Sequence, residues 1–408
     1  MSDATIQVSV LTAGRDKPYA LGLASALIAS GINFDFIGSN GVDSPELHGN
    51  PQVNFLNLRG DQSVDAGAMR KAWRVLAYYF RLIGYATTAG PKVLHILWNN
   101  KFELFDRTVL MLYYKLLCKK IVFTAHNVNA GVRDANDSWL NRTTLKFQYR
   151  LCDHIFVHTE KMKGELVSAF GVLESKASVI PFGVNNSVPN TALTTAEARR
   201  QLGLGESDKT MLFFGNIAPY KGLEFLVAAF IEIAKKDSSY RLIVGGRPKG
   251  SEDYWRKLQE TIARSGVQDR VVQKIEYVPD SQTEVYFKAA DVFVLPYVHV
   301  FQSGVLFLGY NFGLPVIAAD VGSLKEEIVE GKTGFMFGAG NAAELSGTIQ
   351  KYFESDLYRQ LASRRKEIRD FANDRYSWSK VAAITTAVYS KLLRSEENHC
   401  PHCAAEKP

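Results

Sequence analysis

Apolar residues along this chain fall into short continuous runs that alternate with segments of helical periodicity. Continuous runs are typical of strands buried on both faces, because a sheet with one wet face shows alternating polar and apolar positions. The first half of the chain predicts strands in IQVSVLTAG, FDFIG, VLHILW, KKIVFTAHN, DHIFVHT and ASVIPFGV. Helices are predicted in LGLASALIASG, in TEKMKGELVSAFG and between the third and fourth strands. This order of strands and helices predicts a parallel sheet.

A polar, proline-containing segment, NNSVPNTALT, separates this series from a second one and predicts a domain linker. At its end Thr194 and Glu197 have the spacing of a helix capping box. The second series predicts strands in TMLFFG, YRLIVGG, VVQKIEYV, DVFVLP and GLPVIA, with helices between them. We therefore expect an α/β protein with two Rossmann-like domains whose parallel sheets face each other across a cleft. The expected divisions are a first domain, a second domain, a helix crossing back to the first domain and a flexible tail, at 1–190, 191–374, 375–394 and 395–408.

Length and composition agree with a globular protein of two domains. The chain has 408 residues, 46% of them hydrophobic, and a net charge of +6. This mild excess suits an anionic ligand or membrane surface, but with no stacked-aromatic or zinc-finger motif it does not favour nucleic acid. We expect neither a signal peptide nor a membrane span. Four cysteines form no disulfide framework, so a cytoplasmic location is expected.

The segment ADVFVLPYVHVFQSGVLFLGYNFGLPVIAADVGSLKEEIVEGKTGF says most about chemistry. It predicts a buried strand, a turn at Gln302-Ser303-Gly304, a helix and a second strand. A strand that leads into a helix N-terminus places free backbone N–H groups and the positive end of the helix dipole at one point, which favours an anion. Upstream, Lys221 lies between a strand and a helix and is placed to neutralise a diphosphate. By itself this lysine is as well explained as a solvated surface residue.

Two positions in the first domain follow buried strands. His126, in TAHN, lies at the carboxyl end of a strand, where α/β sheets place their ligands. A helix-capping or core-edge histidine is the structural alternative. Gly14 follows the first strand and would let a ligand approach the backbone closely, although a simple strand-to-helix turn explains it equally well.

Three other motifs are assigned structural explanations or left open. Gly338 to Ala343 matches a dinucleotide fingerprint but opens no βαβ unit, so Asn341 is better interpreted as a helix N-cap with Glu344 completing a capping box. The tail sequence HCPHC lacks the second ligand pair of a structural zinc site, and no metal is expected.

Residues 70–85 predict an amphipathic helix that is both basic and aromatic. Its basic side holds Arg70, Lys71, Arg74 and Arg81, and the opposite side holds Trp73, Leu76, Phe80 and Ile83. Such a helix lies on an anionic membrane or packs its apolar side into a domain core, and the sequence leaves both open.

Taken together, these motifs resemble the retaining GT-B glycosyltransferases of family 4. The resemblance covers nearly the whole chain and is strongest over residues 210–337. The segments that carry it are GNIAPYKGLEFLV, EYVPD, DVFVLPY, QSGV, GLPVIAADVGSLKEEIVEGKTGFMF, TAHN, VIPFGV and YSWSKVA. It implies a GT-B fold with an N-terminal acceptor domain and a C-terminal donor domain. It also implies a donor that is a UDP-type or GDP-type sugar, no other cofactor, and a saccharide or lipid-linked acceptor.

The resemblance also implies roles for individual residues. His126 and Lys221 would be catalytic, with Lys221 at the donor diphosphate and His126 beside the donor sugar. The implied donor-binding residues are Gly14, Gly215, Asn216, Lys221, Tyr277, Val278, Gln302, Ser303, Gly304, Val305 and Glu326. The implied residues on the acceptor side are Asn127, Asn129 and Arg133.

This chain departs from the family pattern at three positions. Asn216 stands where the family usually has an arginine, so Lys221 carries more of the diphosphate charge. Val300 and Leu308 stand where the family usually has two glutamates, as in a QSGV-type variant. The expected function is metal-independent, retaining transfer of a sugar in bacterial polysaccharide or glycolipid assembly, in the cytoplasm or at the inner membrane. The alternatives are a catalytically inactive GT-B-like partner protein and a GT-B nucleotide-sugar epimerase.

Overall fold

The computed structural model describes residues 7–63, 66–133, 136–184, 188–248, 250–300 and 302–397. The chain forms two compact units. Unit 1 contains the residues up to Gly183 together with those from Ser377 onward, and unit 2 contains Val184–Tyr376. The HCPHC motif of the tail lies outside the described residues.

Unit 1 is built on a seven-stranded sheet with the order β3-β2-β1-β4-β5-β6-β7, in which every pair is parallel. Its strands are β1 Gln7–Leu11, β2 Asn33–Ile37, β3 Val53–Leu56, β4 Val93–Ile96, β5 Lys120–Thr124, β6 His154–Val157 and β7 Ala177–Val179. The apolar runs predict all of these except β3. That strand is an edge strand with only partly buried side chains, so its sequence lacks a continuous apolar run.

Helices connect the strands of unit 1. They are α1 Lys17–Ala29, α2 Ala68–Thr88, α3 Glu103–Phe105, α4 Met111–Leu116, α5 Ala130–Arg133, α6 Trp139–Leu151 and α7 Glu160–Phe170. A π-helical turn, Asp106–Leu110, joins α3 to α4 in one continuous helical segment. The apolar cores lie on the two faces of the sheet, which explains the continuous apolar strands.

Unit 2 is built on a six-stranded parallel sheet with the order β10-β9-β8-β11-β12-β13. Its strands are β8 Lys209–Phe214, β9 Tyr240–Gly245, β10 Val271–Lys274, β11 Val292–Leu295, β12 Val316–Ala319 and β13 Gly334–Phe337. Its helices are α8 Thr195–Gln201, α9 Leu223–Lys236, α10 Glu252–Ala263, α11 Asp280–Ala289, α12 Gly304–Asn311, α13 Leu324–Glu327, α14 Ala342–Glu354, α15 Asp356–Arg359 and α16 Leu361–Arg375. Two parallel-sheet, Rossmann-like domains confirm the predicted fold class.

Local signals for helix starts are confirmed in unit 2. Thr194 and Glu197 form a reciprocal capping box at α8. The Asn341 side chain accepts a hydrogen bond from the Glu344 backbone N–H at the start of α14, as its interpretation as an N-cap requires. In the segment predicted as a linker, the Thr191 backbone N–H donates to the buried Glu284 carboxylate at 2.8 Å, so this part of it is anchored in unit 2.

The last helix, α17 Trp378–Glu397, packs against α1 in unit 1. Gly22 of α1 permits this contact, because a Cβ at Gly22 would lie 2.1 Å from the Trp378 ring. Farther along α17, the Tyr389 hydroxyl lies 2.6 Å from Nδ1 of His95 on β4. Among the described residues, no helix combines the length and the apolar character needed to cross a bilayer.

Candidate functional site

Lys221 is the most unusual charged residue of unit 2. It lies in a short 3₁₀ turn after β8 and is only 6% exposed. Its Nζ lies 5.3 Å from the Tyr297 ring centre and 5.9 Å from that of Phe213, and it forms no ion pair with any described residue. Burial lowers the pKa of Lys221. A buried, unpaired ammonium group is costly, so this position favours an anionic ligand.

Two glycines allow the chain to place this lysine. Gly215 ends β8 with φ +112°, and a Cβ there would lie 2.9 Å from Lys221 Nζ. Gly222 has φ +63°, and a Cβ there would lie 2.0 Å from the carbonyl oxygen of Pro296. Both positions have a left-handed backbone and a close neighbouring atom, and a residue with a side chain would be strained there.

The N-terminus of α12 lies beside the same glycine. The position of a Cβ on Gly215 would be 3.7 Å from Cγ1 of Val305, in the first turn of α12. Ser303 is the N-cap residue, but its side chain makes no capping hydrogen bond. The first N–H groups of the helix, from Gly304 and Val305, are thus not satisfied by a side-chain cap. Unit 2 brings the predicted lysine and the predicted helix terminus together, and an ammonium group beside free helix N–H groups is an arrangement suited to an anion.

A polar cluster orients the segment before α12. The Gln302 side-chain carbonyl accepts a hydrogen bond from the Ser323 hydroxyl, and its amide lies 3.4 Å from Oε1 of Glu327. Glu327 is buried, and burial raises its pKa, whereas the neighbouring Glu326 side chain is exposed. Sequence reasoning named Glu326 and missed Glu327, because two adjacent glutamates on a short helix do not reveal which one turns inward.

The remaining predicted residues of unit 2 line strand ends. Asn216 is exposed in the loop after β8, Val278 is buried, and the Tyr277 ring is 62% exposed. The Arg247 guanidinium lies 5.6 Å from the Tyr277 ring centre, and the Arg247 carbonyl accepts a hydrogen bond from Ile217 N–H at 2.9 Å. Arg247 therefore follows β9 next to the loop that contains Asn216. No motif in the sequence marks this arginine, and only the pairing of β8 with β9 reveals it.

Val300 and Leu308 occupy the two positions where a glutamate pair was expected. Val300 is half-buried and Leu308 is 5% exposed, on α12. Neither side chain can accept a hydrogen bond. Polar contacts to a ligand from this segment must therefore come from its backbone and from Gln302 and Ser303.

In unit 1, His126 follows β5 and stacks on Trp98, with ring centres 4.3 Å apart and planes 4° apart. His126 Nδ1 lies 3.0 Å from His158 Nε2, and His158 Nδ1 lies 3.2 Å from the carbonyl oxygen of Ile180. Burial lowers the pKa of His126 well below its usual range and lowers that of His158 to about 4. Both rings are therefore neutral at pH 7.

This chain of contacts fixes the tautomers. A carbonyl oxygen only accepts, so His158 Nδ1 carries a proton and His158 Nε2 is an acceptor. His126 Nδ1 must then donate to it. His126 Nε2 consequently has a free lone pair, and it is buried without a hydrogen-bond partner among the described residues. This nitrogen can accept a hydrogen bond from a hydroxyl group.

The other predicted residues of unit 1 lie near strand ends but differ in character. Gly14 has φ +62°, and a Cβ there would lie 2.6 Å from the Ser39 hydroxyl, so close packing explains this glycine. Asn129 is buried and bonded to Asp137 at 3.0 Å, which makes it a loop-stabilising residue, whereas Asn127 is half-buried. The side chain of Arg133 lies outside the described part of the structure.

Comparisons with known proteins support these observations. A family model described as glycosyl transferases group 1 matches residues 208–355, and one described as glycosyltransferase family 4 matches residues 18–188. A D-inositol 3-phosphate glycosyltransferase of Pseudarthrobacter chlorophenolicus is 28% identical over 257 residues, 62% of this chain. The chain spans only 60% of the length of that curated relative.

Solved structures of low identity show the same fold. Sucrose-phosphate synthase from Thermosynechococcus elongatus superposes with a TM-score of 0.76 at 19% identity, covering 96% of this chain and 100% of that one. The Anabaena protein HepE, in complex with UDP and glucose, superposes with a TM-score of 0.72 at 18% identity, covering 95% and 99%.

The two parallel sheets and these neighbours define a protein of the GT-B fold. Because a glycosyltransferase model matches each unit, the chain is a glycosyltransferase of the GT-B type.

Proposed function

We propose that this glycosyltransferase transfers a sugar from a nucleotide diphosphate to an acceptor hydroxyl with retention of anomeric configuration and without a metal ion. The observation that carries the proposal is the buried, unpaired ammonium of Lys221 beside Gly215 and the α12 N-terminus. A metal-free reaction needs positive groups at the departing diphosphate, and this cluster supplies an ammonium group and backbone N–H donors.

The proposed reaction exchanges one bond at the anomeric carbon for another. The bond to the phosphate oxygen breaks and its electrons remain on the diphosphate. The acceptor oxygen bonds to the same carbon from the same face, and its proton passes to the departing phosphate oxygen. Lys221 stabilises the negative charge that develops on the diphosphate, which is where electrostatic catalysis acts most strongly.

His126 is proposed to orient the sugar. Its unpartnered Nε2 is an acceptor at the carboxyl end of β5, so it would receive a hydrogen bond from a sugar hydroxyl. Because burial keeps the ring neutral, it would act as a positioning hydrogen-bond acceptor and not as a cation.

The donor is proposed to be a UDP-type or GDP-type sugar. A structural neighbour was solved with UDP and glucose, which supports a UDP sugar. Arg247 is proposed to supply the second cation that Asn216 does not, since its backbone pairs with the loop that holds Asn216. The proposed setting is polysaccharide or glycolipid assembly, at the cytoplasmic side of a membrane.

Replacing Lys221 tests the proposal. We expect Lys221→Ala to lower sugar turnover at least tenfold, on the order of 1–3 kcal/mol of transition-state stabilisation, and to weaken UDP binding in calorimetry. The matched control is Lys325→Ala, because Lys325 is an exposed lysine of unit 2 paired with Asp320 at 3.0 Å. Unchanged kinetics in a folded Lys221→Ala protein would remove this lysine from the mechanism.

The apolar side chains at Val300 and Leu308 favour a second candidate, an inactive GT-B-like partner protein. Calorimetry with UDP and GDP separates the two, since a partner protein without a donor site binds neither nucleotide. An epimerase would instead release free sugar or an isomer when no acceptor is present, and NMR of a donor incubation detects that product.

Unit 1 is further proposed to dock on an anionic membrane through α2. One face of this helix holds an exposed apolar stripe, the α2 stripe, of Met69, Trp73, Leu76 and Phe80. The alternative that the apolar side packs in the core holds only for Ile83, which packs against it, whereas Trp73, Leu76 and Phe80 are exposed. The core-facing side chains of α2 are those of Tyr78, Tyr79, Leu82 and Ala86. Twelve of the fourteen exposed large hydrophobic side chains in the described residues lie between positions 69 and 140.

Charge favours a membrane as the occupant of this surface. Residues 66–150 contain fourteen lysines and arginines against four acidic residues, a larger excess than the +6 of the whole chain. Apolar side chains together with this charge match the interface of an anionic bilayer.

Vesicle flotation tests the docking proposal. We expect binding to phosphatidylglycerol vesicles but not to phosphatidylcholine vesicles, and loss of binding in Trp73→Ser/Phe80→Ser. Leu173→Ser is the control, since Leu173 is as exposed as Trp73, at 66% against 69%, but lies after α7. Equal flotation of all three proteins would contradict docking through α2.

A further inference from the structure

Unit 1 contains a cavity of about 300 Å³ that no predicted site residue lines. It is formed by the segments that follow β3 and β4 and by one side of α2. Ligands of α/β proteins bind at the carboxyl ends of parallel strands, and this cavity has that position. Its size is at the lower end of the range of small-molecule sites, about 300–1,000 Å³.

The described lining of the cavity is strongly basic. Four of its residues are cations, Arg59, Lys71, Arg74 and Lys101, and one is an acid, Asp61. The Asp61 carboxylate is already paired with Arg74, at 3.2 Å, and so balances the charge of that arginine. Lys71 and Lys101 form no ion pair with any described residue. The described lining therefore carries more positive than negative charge, and the buried Asp106 carboxylate behind it balances Arg59 only in part.

Arg59 is held rigidly in the wall. Its guanidinium donates to the carbonyl oxygen of Ala13 at 2.6 Å and lies 5.1 Å from the Tyr78 ring centre. Burial lowers the pKa of Arg59, yet a guanidinium remains charged in proteins. A partly desolvated cation of this kind interacts strongly with an anion that enters the cavity.

Hydrogen-bonded polar groups behind the wall, among them the Asp106 carboxyl, fix its geometry. The Tyr78 hydroxyl donates to Asn100 Oδ1 at 2.8 Å, and Asn100 Nδ2 donates to Asp106 Oδ1 at 3.2 Å. Asp106 is 3% exposed on the π-helical turn, and burial raises its pKa to about 6. The Tyr79 hydroxyl donates to the same carboxyl at 3.0 Å. Hydrogen bonds thus connect the lining residues into a preorganised wall.

We infer that this cavity binds a phosphate group carried by the acceptor. Lys71 and Lys101, which have no ion pair among the described residues, together with Arg59 match a phosphate dianion better than a neutral saccharide, and arginine with lysine suits several oxygens at once. This inference rests on the proposed function, because it assigns the acceptor of that reaction. The inference assigns a phosphorylated acceptor, either a sugar phosphate or a lipid phosphate, and excludes a neutral glycan.

The cavity lies next to the exposed apolar stripe of α2, and this position bears on whether the phosphate is carried by a lipid or by a soluble sugar. Lys71 and Arg74 line the cavity from the same helix whose neighbouring face carries Trp73 of the α2 stripe. One helix thus presents a phosphate-binding side and an apolar side. A phosphate in solution and a phosphate on a polyprenyl chain share the same chemistry in the cavity, and only the chain would add contacts outside it.

Calorimetry on the full chain tests the inference with glucose 6-phosphate, glucose and a short-chain polyprenyl phosphate as probes. We expect both phosphates to bind and glucose not to bind. Lys71→Ala/Lys101→Ala should weaken phosphate binding at least tenfold. The control, Lys17→Ala, replaces an exposed lysine of unit 1 that contacts the Asp43 carbonyl at 2.9 Å and should bind as the unsubstituted chain does.

UDP binding, measured in the same proteins, separates this inference from the proposed function. UDP should bind equally well to the double variant, since Lys221 and the α12 N-terminus, the groups proposed to bind its diphosphate, lie in unit 2. Tighter binding of the polyprenyl phosphate would assign a lipid-borne acceptor, and equal binding a soluble one. No binding of either phosphate, or binding that the double variant leaves unchanged, would overturn the inference. Failure of the unsubstituted chain to bind UDP would instead count against the proposed function.

Discussion

The two units bury polar groups of different kinds. Unit 2 buries charges, with Arg199 bonded to Asp291 through two contacts of 2.8 Å and Lys221 left without a partner. Unit 1 also buries charged groups, such as Asp106 and Lys119, but it is set apart by buried histidine rings, among them His95 and His158, whose pKa values burial lowers to about 3 and about 4. The interior of unit 2 therefore depends on the pairing of Arg199 with Asp291, whereas that of unit 1 depends on its histidines remaining neutral.

The surfaces of the units differ as well. Thirteen of the fourteen exposed large hydrophobic side chains in the described residues belong to unit 1, and unit 2 contributes only Tyr277. Exposed apolar area of this extent indicates an interaction surface. Unit 2 therefore concentrates its candidate chemistry in one cluster, Lys221 and the α12 N-terminus, while unit 1 spreads its candidate contacts over a histidine pair, a basic cavity and an apolar helix face.

The largest effect is expected from the charge pair of unit 2. Asp291→Ala would leave the buried Arg199 without its counter-ion, so we expect the free energy of unfolding to fall by about 3–5 kcal/mol. Urea unfolding measures this change. Lys366→Ala is the control, because its pair with Asp370 is exposed at 76% and 60% and should contribute less than about 1 kcal/mol. Similar losses in both variants would contradict the distinction between buried and exposed pairs.

Acid should weaken unit 1 through its histidines. The folded pKa values of His95 and His158 lie below the unfolded value near 6.5, so between pH 6.5 and pH 4 the unfolded chain binds more protons and stability falls as pH falls. Asp106, with its pKa raised to about 6, acts in the opposite direction, as do Asp16 and Glu165, whose pKa values burial also raises. His126 and His154, whose pKa values burial lowers, add to the histidine effect. We expect a net loss on the order of 2 kcal/mol between pH 7 and pH 4.5.

Melting curves across this pH range measure the acid effect. His158→Gln should flatten the pH dependence, since glutamine does not titrate. An unchanged slope in that variant would show that His158 does not contribute to the loss.

A smaller effect is expected from the free nitrogen of His126. His126→Phe preserves a ring to stack on Trp98 but removes both nitrogens, so we expect about tenfold lower turnover, roughly 1.4 kcal/mol, with the fold retained. Steady-state kinetics and circular dichroism measure both properties. The control is His48→Ala, because His48 is an exposed histidine of unit 1 paired with Asp43 at 2.6 Å. Full activity in His126→Phe would leave His126 with a structural role alone.

The smallest effect on stability is expected on the α2 stripe. Trp73 and Phe80 are 69% and 73% exposed, so serine at either position should change the free energy of unfolding by no more than about 0.5 kcal/mol. Urea unfolding of the single variants tests this. A loss above 2 kcal/mol would mean that these rings are buried in solution, and the surface would lose its basis as a docking face.

Much of the fold follows from the sequence because buried parallel strands are continuous apolar runs. All six strands predicted for unit 1 and all five for unit 2 form. Two edge strands escape prediction: β3, whose side chains are only partly buried, and β13, which is only four residues long and begins at a glycine. The helix α6 was not predicted, although Ser138 caps its N-terminus.

The candidate sites follow from the sequence to different extents. Lys221 and the turn before α12 are marked by glycines and a lysine within short motifs. Glu327 and Arg247 are not, since burial and strand pairing place them. The basic cavity was missed altogether, because Arg59, Lys71 and Lys101 come from three separate segments of the chain.

The amino-acid sequence alone sufficed to predict two parallel α/β units and the helix caps at Thr194 and Asn341, and it places a candidate anion site where a strand leads into α12. It could do so because periodicity, capping and glycine turns are local properties. Only the tertiary structure decided which side of α2 is exposed, which His126 nitrogen is free and which cations share a cavity. Those properties depend on contacts between residues distant in the chain, and no local pattern encodes them.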